Sequence, residues 1–333
     1  MPKAKIQIRD VARHAGVSIG TVSNVLNRPE TVSAANVLKV RLAMEAIGFV
    51  PNDVARQLKM GDSSTIGMIV LNVANPFFAS LAHACETVAE ENGLTVVLGS
   101  SDHNPSREER YLDLFEKQRV SGLLIAPLAG VTPRITQMHK RDQPVVLFDP
   151  NVDPASFCSV VLDGGAAGRQ ATQHLVDRGR KRLAFVGGPR YQVQDRIVGF
   201  EEVVAERDDV TADYFETTDQ TFEEGRRIGE DLVRMDRAAR PDGIFAANDA
   251  IAFGILQTIQ TTDALSIPRD MSLVGYDDID YASSFGLTTI RQPLRALASN
   301  ALRLLRTEIE LGQSAHQHER LLLRPELIVR AST

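Results

Sequence analysis

From Thr65 onward the chain alternates short apolar runs with amphipathic stretches of helical length, a rhythm that few folds accept. Ile66–Leu71, Thr95–Leu98, Gly122–Ala126 and Val145–Phe148 are apolar at successive positions rather than at every second one. That pattern suits strands buried on both faces of a parallel sheet, and the stretches between them predict helices. The result is a doubly wound α/β body. After Cys158–Leu162 the cycle restarts, with strands predicted at Arg182–Val186, Gly243–Ala246 and Met271–Gly275, so a second, similar lobe follows the first. Apolar runs at Leu287–Gln292 and Arg320–Arg324 imply that the chain returns, making three crossings between lobes. A body of this kind closes on a ligand at a cleft where strand carboxyl ends from both lobes meet.

The first sixty residues follow a different period. Ile8, Val11, Ala12 and Ala15 recur at helical spacing, and Gly16 then supplies the positive φ with which a chain leaves a helix, followed by an apolar contact at Val17. Ser18 is placed to cap a second helix over Ile19 to Leu26, with Val22, Val25 and Leu26 on its inner face. Two short helices joined by Gly16, Val17 and Ser18 make a helix-turn-helix. A third helix begins after Ser33, turns Val37, Val40, Met44 and Ile47 inward and stops at Gly48. Pro51 marks a boundary, and Asn52 to Lys59 has helix-forming residues but too little apolar surface to hold a helix unaided.

Charge separates the two parts. The chain carries 37 Lys and Arg against 43 Asp and Glu, a net −6, yet residues 1–60 hold nine against four. The head is therefore +5 and the remainder −11. A basic head attracts phosphates while an acidic body is repelled by them, so the head is the part expected to dock on nucleic acid.

The run IRDVARHAGVSIGTVSNVLN, residues 8–27, resembles the headpiece of the LacI/GalR family of bacterial repressors, and VARQLK, residues 54–59, resembles that family's hinge helix. The resemblance continues through TIGMIV (65–70), NPFF (75–78), PVVLFD (144–149), RLAFVGGP (182–189), FAAND (245–249) and SLVGYDD (272–278), and so covers nearly the whole chain. It implies that the second helix enters the major groove, with Ile19, Gly20 and Asn24 toward bases and Thr21 and Ser23 on the phosphate backbone. Where relatives often carry polar residues, Ile19 offers apolar contact and Gly20 none, so direct readout leans on Asn24. Asn36 and Val37 likewise stand where many relatives carry Thr and Arg, which removes one phosphate contact. The resemblance also implies that paired hinge segments enter the minor groove, with Leu58 as an apolar wedge supported by Ala55 and Lys59.

In the body the resemblance implies an effector cleft lined by Phe77, Phe148, Asp149, Gln192, Arg196, Asn248 and Asp277. Those residue types suit a polyhydroxy ligand such as a sugar: carboxylates accept from vicinal hydroxyls, Arg donates two bonds at once, and a Phe ring covers an apolar face. The expected organisation is a helix-turn-helix headpiece over 1–50, a hinge over 51–62 and an effector-binding and dimerisation body over 63–333. Within the body, one lobe spans about 63–162 and 292–322, the other about 163–291 and 323–333. No leucine heptads follow the body, so a homodimer and a pseudo-palindromic operator are expected.

Competing classes fit less well. Periplasmic sugar-binding proteins share the body, but the basic N-terminus leads into no apolar stretch, so no export signal is expected and a cytoplasmic protein is. No apolar run approaches membrane-spanning length. For an enzyme, the run Gly164 to Gly168 fits neither a phosphate loop nor a dinucleotide fingerprint, and the adjacent Asp277 and Asp278 would point apart. The two cysteines, Cys85 and Cys158, form no CxxC, and His316 and His318 lie in a polar segment with no third ligand nearby in sequence. No metal or cofactor is expected.

Overall fold

A computed structural model describes residues 6–49, 63–149, 151–262, 265–312 and 315–333. Contacts divide the chain into one unit over Met1–Ser63 and another over Ser64–Thr333.

Among its described residues the first unit has three α-helices, α1 (Ile8–Ala15), α2 (Ile19–Asn27) and α3 (Ala34–Ile47). The starts of α1 and α2 have a local cause. Asp10 reaches back to accept from the Gln7 amide at 2.9 Å, and Ser18 Oγ accepts from Thr21 N at 3.0 Å, each satisfying an amide that the helix itself leaves over. Gly16, at φ 65°, lets the chain leave α1 in the left-handed conformation and turn at once into α2. The core is made of short side chains, Val11, Ala12, Val22, Val25, Val40 and Ala43, which lets three helices approach closely. Val37, Met44 and Ile47 pack at its rim rather than at its centre.

The second unit holds two six-stranded sheets with matching topology. The first comprises β1 (Thr65–Val70), β2 (Thr95–Ser100), β3 (Leu123–Ile125), β4 (Val145–Leu147), β5 (Cys158–Leu162) and β11 (Arg320–Leu323), in the order β11-β5-β4-β3-β1-β2. The second comprises β6 (Arg182–Gly187), β7 (Thr211–Glu216), β8 (Gly243–Ala246), β9 (Ser272–Asp277), β10 (Thr288–Arg291) and β12 (Glu326–Ile328), in the order β12-β10-β9-β8-β6-β7. All pairings are parallel except β10 with β12, where Ile290 sits opposite Leu327 in antiparallel register. Two strands go beyond the sequence reading, β7 and β12, both at sheet edges. Neither has the continuous apolar run that marks a central strand: Thr211 to Glu216 reads Thr-Ala-Asp-Tyr-Phe-Glu and is exposed or half-buried throughout.

Alternation along the central strands fills both faces of the first sheet. Ile66, Met68, Val70, Leu124 and Val146 pack under α4 (Pro76–Glu91) and α11 (Leu294–Leu311). Ile69, Leu123, Ile125, Val145 and Leu147 pack under α5 (Pro105–Gln118) and α6 (Pro133–His139). In the second sheet Phe185 stands edge-on to both Phe200 and Phe245, at 6.0 and 5.3 Å between centroids.

The glycine run that fits no phosphate loop has a packing role. It opens α7 (Gly164–Asp177), which lies against α8 (Arg190–Ala205). A methyl at Gly168 would stand 2.2 Å from the Arg196 carbonyl oxygen, and one at Gly199 would stand 2.1 Å from that of Gly165. Only hydrogen fits between these backbones, and the contact sets where Asp195 and Arg196 emerge.

Candidate nucleic-acid interface and ligand cleft

On α2, burial of Val22 and Val25 turns the opposite face outward. Ile19 is 53 % exposed, Gly20 and Asn24 are exposed, and Thr21 and Ser23 are half-buried at the edge. Gly20 and Asn24 are one turn apart, so the positions expected to read bases share a face. Thr21 Oγ1 lies 2.9 Å from Ser18 Oγ, and Asn27 Nδ2 donates to Ser23 O at 2.7 Å, so both hydroxyl positions are held from within the helix. The hinge positions Ala55, Leu58 and Lys59 lie outside the described residues.

A cleft of about 820 Å³ opens at the carboxyl ends of strands from both sheets, at the places where their order reverses. Phe77, Phe148 and Asp149 line it from the first sheet's side; Gln192, Arg196 and Asp277 line it from the second's. Six of the seven residues expected there are thus brought together. Asn248 is not in the lining. It is buried behind the wall, its Nδ2 donating to Gln220 O at 3.1 Å and its Oδ1 accepting from Ile251 N at 2.9 Å, so it caps α10 (Asp249–Thr262) and fixes the Gln220 loop. Gln220 Nε2 in turn donates to Gln192 Oε1 at 2.9 Å.

Arg196 and Asp277 form the polar floor. The Arg196 guanidinium lies 3.8 Å over the Tyr276 ring and donates to Ala247 O at 2.6 Å, which fixes its plane. Asp277 accepts from Gln292 Nε2 at 2.7 Å and holds a φ of 117°, a conformation that side-chain-bearing residues rarely adopt. Burial pushes its carboxyl up to about 7, against the pull of Arg196 and Gln292. Behind it, burial and the nearby Asp277 raise Asp249 well above the carboxylate range; Thr289 Oγ1 donates to it at 2.6 Å and the Ile279 amide at 3.0 Å. Asp278 turns the other way, to Arg291 and Arg330, each at 2.7 Å.

Sequence reasoning missed several cleft residues. Asp219 and Gln220 follow β7, the strand whose pattern was illegible, and Tyr276 and Asp195 each precede a residue that was identified. With them the lining carries Asp149, Asp195, Asp219 and Asp277 against one arginine, Arg196, so the cleft is acidic.

The expectation that His316 and His318 have no third ligand is corrected by the fold. Cys158, at the amino end of β5, places Sγ 3.0 Å from His316 Nε2 and 3.8 Å from His318 Nδ1. Pairing of β5 with β11 brings together residues that sequence distance hid. Burial pushes the Cys158 thiol up to about 11 and holds both imidazoles below their usual value.

Residues 7–52 match the bacterial regulatory proteins of the lacI family, and residues 172–333 match the periplasmic binding protein-like domain. The chain is 31 % identical over 331 residues to the HTH-type transcriptional repressor PurR of Photobacterium profundum, covering 98 % of each. It is 32 % identical over 340 residues to the ribose operon repressor of Escherichia coli, covering 98 % of this chain and 99 % of that one. Among solved structures, the Lac repressor dimer bound to operator and the anti-inducer ONPF superposes with a TM-score of 0.82 at 26 % identity, covering 98 % of this chain and 99 % of that one. A helix-turn-helix followed by a periplasmic-binding-type body with a ligand cleft defines a ligand-controlled, DNA-binding transcription regulator. Its relatives are repressors rather than enzymes. The chain belongs to the LacI family of bacterial regulatory proteins.

Proposed function

We propose that the chain is a cytoplasmic, non-enzymatic repressor that grips a pseudo-palindromic operator as a homodimer and is controlled by a neutral polyhydroxy molecule of sugar type. The observation that carries this reading is the acidic cleft, in which Arg196 and Asp277 form a polar floor between aromatic walls. Carboxylates accept from vicinal hydroxyls and Phe77 or Phe148 covers the apolar face of a ring. A phosphorylated ligand would meet Asp149, Asp195 and Asp219, besides the partly neutral Asp277, against one arginine, so the charge favours an uncharged one. On the DNA side, Ile19, Gly20 and Asn24 face bases, Thr21 and Ser23 hold phosphates, and Leu58 wedges into the minor groove beside Ala55 and Lys59. Described helices include none long and apolar enough to cross a membrane.

The test is a mobility shift on the DNA upstream of the chain's own coding sequence, repeated with pentoses, hexoses, disaccharides, their phosphates and nucleobases. A change in operator affinity of at least about fivefold with one neutral sugar is expected, the lower range of allosteric coupling. A response confined to phosphorylated sugars or nucleobases overturns the ligand assignment, and failure to prefer any duplex over random competitor overturns the operator.

A further inference from the structure

We propose that Cys158, His316 and His318 form a binding site for a divalent transition-metal ion of the zinc class, at the end of the first sheet opposite the ligand cleft. The three candidate ligand atoms all lie within 4.8 Å of one another. Bonds of about 2.3 Å to sulfur and 2.0–2.1 Å to nitrogen at tetrahedral angles place a thiolate sulfur roughly 3.6 Å from each imidazole nitrogen. The observed separations, 3.0 and 3.8 Å, bracket that value, so an ion enters with small side-chain shifts. A thiolate and two imidazoles make a borderline-soft donor set that suits zinc and rejects calcium and magnesium, which take oxygen ligands. The fourth position is left to water.

The surroundings match what supports such sites elsewhere. The Glu319 amide donates to Cys158 Sγ at 3.4 Å, the kind of bond that steadies a metal-bound thiolate. His139 lies beside His318 at 5.3 Å between centroids with the rings tilted by 52°, and its Nδ1 lies 3.3 Å from the fully buried Glu308 carboxyl. A divalent ion balances one thiolate and one carboxylate, leaving the pocket neutral. On binding, the sulfur–metal bond forms as the thiol proton leaves to solvent. The ion then ties β5 to the segment entering β11, residues 158 apart in sequence from Cys158 to His316, across a span that contains most of the second sheet. Such a tether removes conformational freedom from the unfolded chain, so bound metal raises the melting temperature.

Cobalt reads the site directly. Titrating Co2+ into the untagged full-length protein is expected to give a sulfur-to-cobalt charge-transfer absorption in the near ultraviolet and tetrahedral visible bands, saturating at one ion per chain and displaced by Zn2+. Cys158→Ser abolishes both signals, Cys85→Ser leaves them intact, and replacing His316 and His318 together by Gln weakens binding by about 100-fold or more. Circular dichroism checks that each variant is folded; should Cys158→Ser fail that check, the wild-type spectrum and the histidine variant still decide. Absence of a charge-transfer band in wild type at excess Co2+, loss of the band in Cys85→Ser, or an unchanged affinity in the histidine variant overturns the proposal.

Discussion

Asp277 is the residue at which cost and use conflict most openly: it is 8 % exposed, held at a φ of 117°, and burial pushes its carboxyl up to about 7. Its folded value lies above its unfolded one, so its contribution to stability is fully present below about pH 4 and is lost as pH rises through about 7. Ligand hydroxyls have the opposite preference, since they donate to the carboxylate and favour its charged form. Effector affinity is therefore expected to rise with pH between about 6 and 7.5, by at most about tenfold per unit, and then to level off. Calorimetric titration across that range checks it; Asp277→Asn should bind weakly with a flat profile, and a flat profile in the wild type would sink the idea. Asp149 and Asp277 were legible because they stand at strand ends, where α/β bodies hold ligands, whereas Arg196 sits inside α8 and was pointed to only by the family resemblance. Asn248 was drawn into the same set by its position after β8, but its side chain was needed to cap α10. Cys158 and its two histidines were illegible for another reason: they meet through a strand pairing that joins the two ends of a long excursion.

At the scale of elements, central strands announce themselves by continuous apolar runs, and edge strands do so unevenly: β2 and β11 were legible, β7 and β12 were not. Ile66 to Val70 is buried from end to end, whereas β7 has no buried position and has a neighbour on one side. Glycine runs are ambiguous in the same way. Gly164 to Gly168 invites a search for phosphate binding, yet the structure uses it to bring α7 and α8 together. Three of the glycines at this contact, Gly165, Gly168 and Gly199, differ sharply in what a methyl would meet, and that gives a test with opposite signs. Gly168→Ala and Gly199→Ala push a methyl against backbone atoms and should each cost about 1–3 kcal/mol. Gly165→Ala finds its nearest neighbour at an ordinary 3.6 Å and should gain about 0.5–1 kcal/mol from helix propensity. Thermal melting ranks them, and Gly168→Ala should also lose effector affinity because the atom it strikes belongs to Arg196. Equal melting temperatures for all three would mean that the helices part more easily than their packing suggests.

For the whole molecule, two lobes and a basic head were readable because each follows from a pattern longer than any single element: a change of hydrophobic period near residue 60 and a change of charge from +5 to −11. Which state the effector favours is set by small free-energy differences that no such pattern encodes. Separate machinery for reading DNA and sensing ligand makes the two functions separable by mutation. Arg196→Ala should abolish the effector response while leaving operator affinity within about threefold, because the coupling lost is the ligand's differential affinity for two states. If Leu58 acts as the proposed apolar wedge at a kinked specific site, Leu58→Ala should do the reverse, costing about 100-fold in operator binding while non-specific binding and sugar affinity of the DNA-free protein stay as they were. Salt separates the contributions further, since phosphate contacts release counterions and the wedge does not, so the slope of log affinity against log salt should be the same for wild type and Leu58→Ala. Fluorescence anisotropy on specific and scrambled duplexes at several salt concentrations measures all of these. If Leu58→Ala weakens both duplexes equally, or flattens the salt dependence, that segment acts through charge and general contact, and control of the operator must be sought in α2 itself.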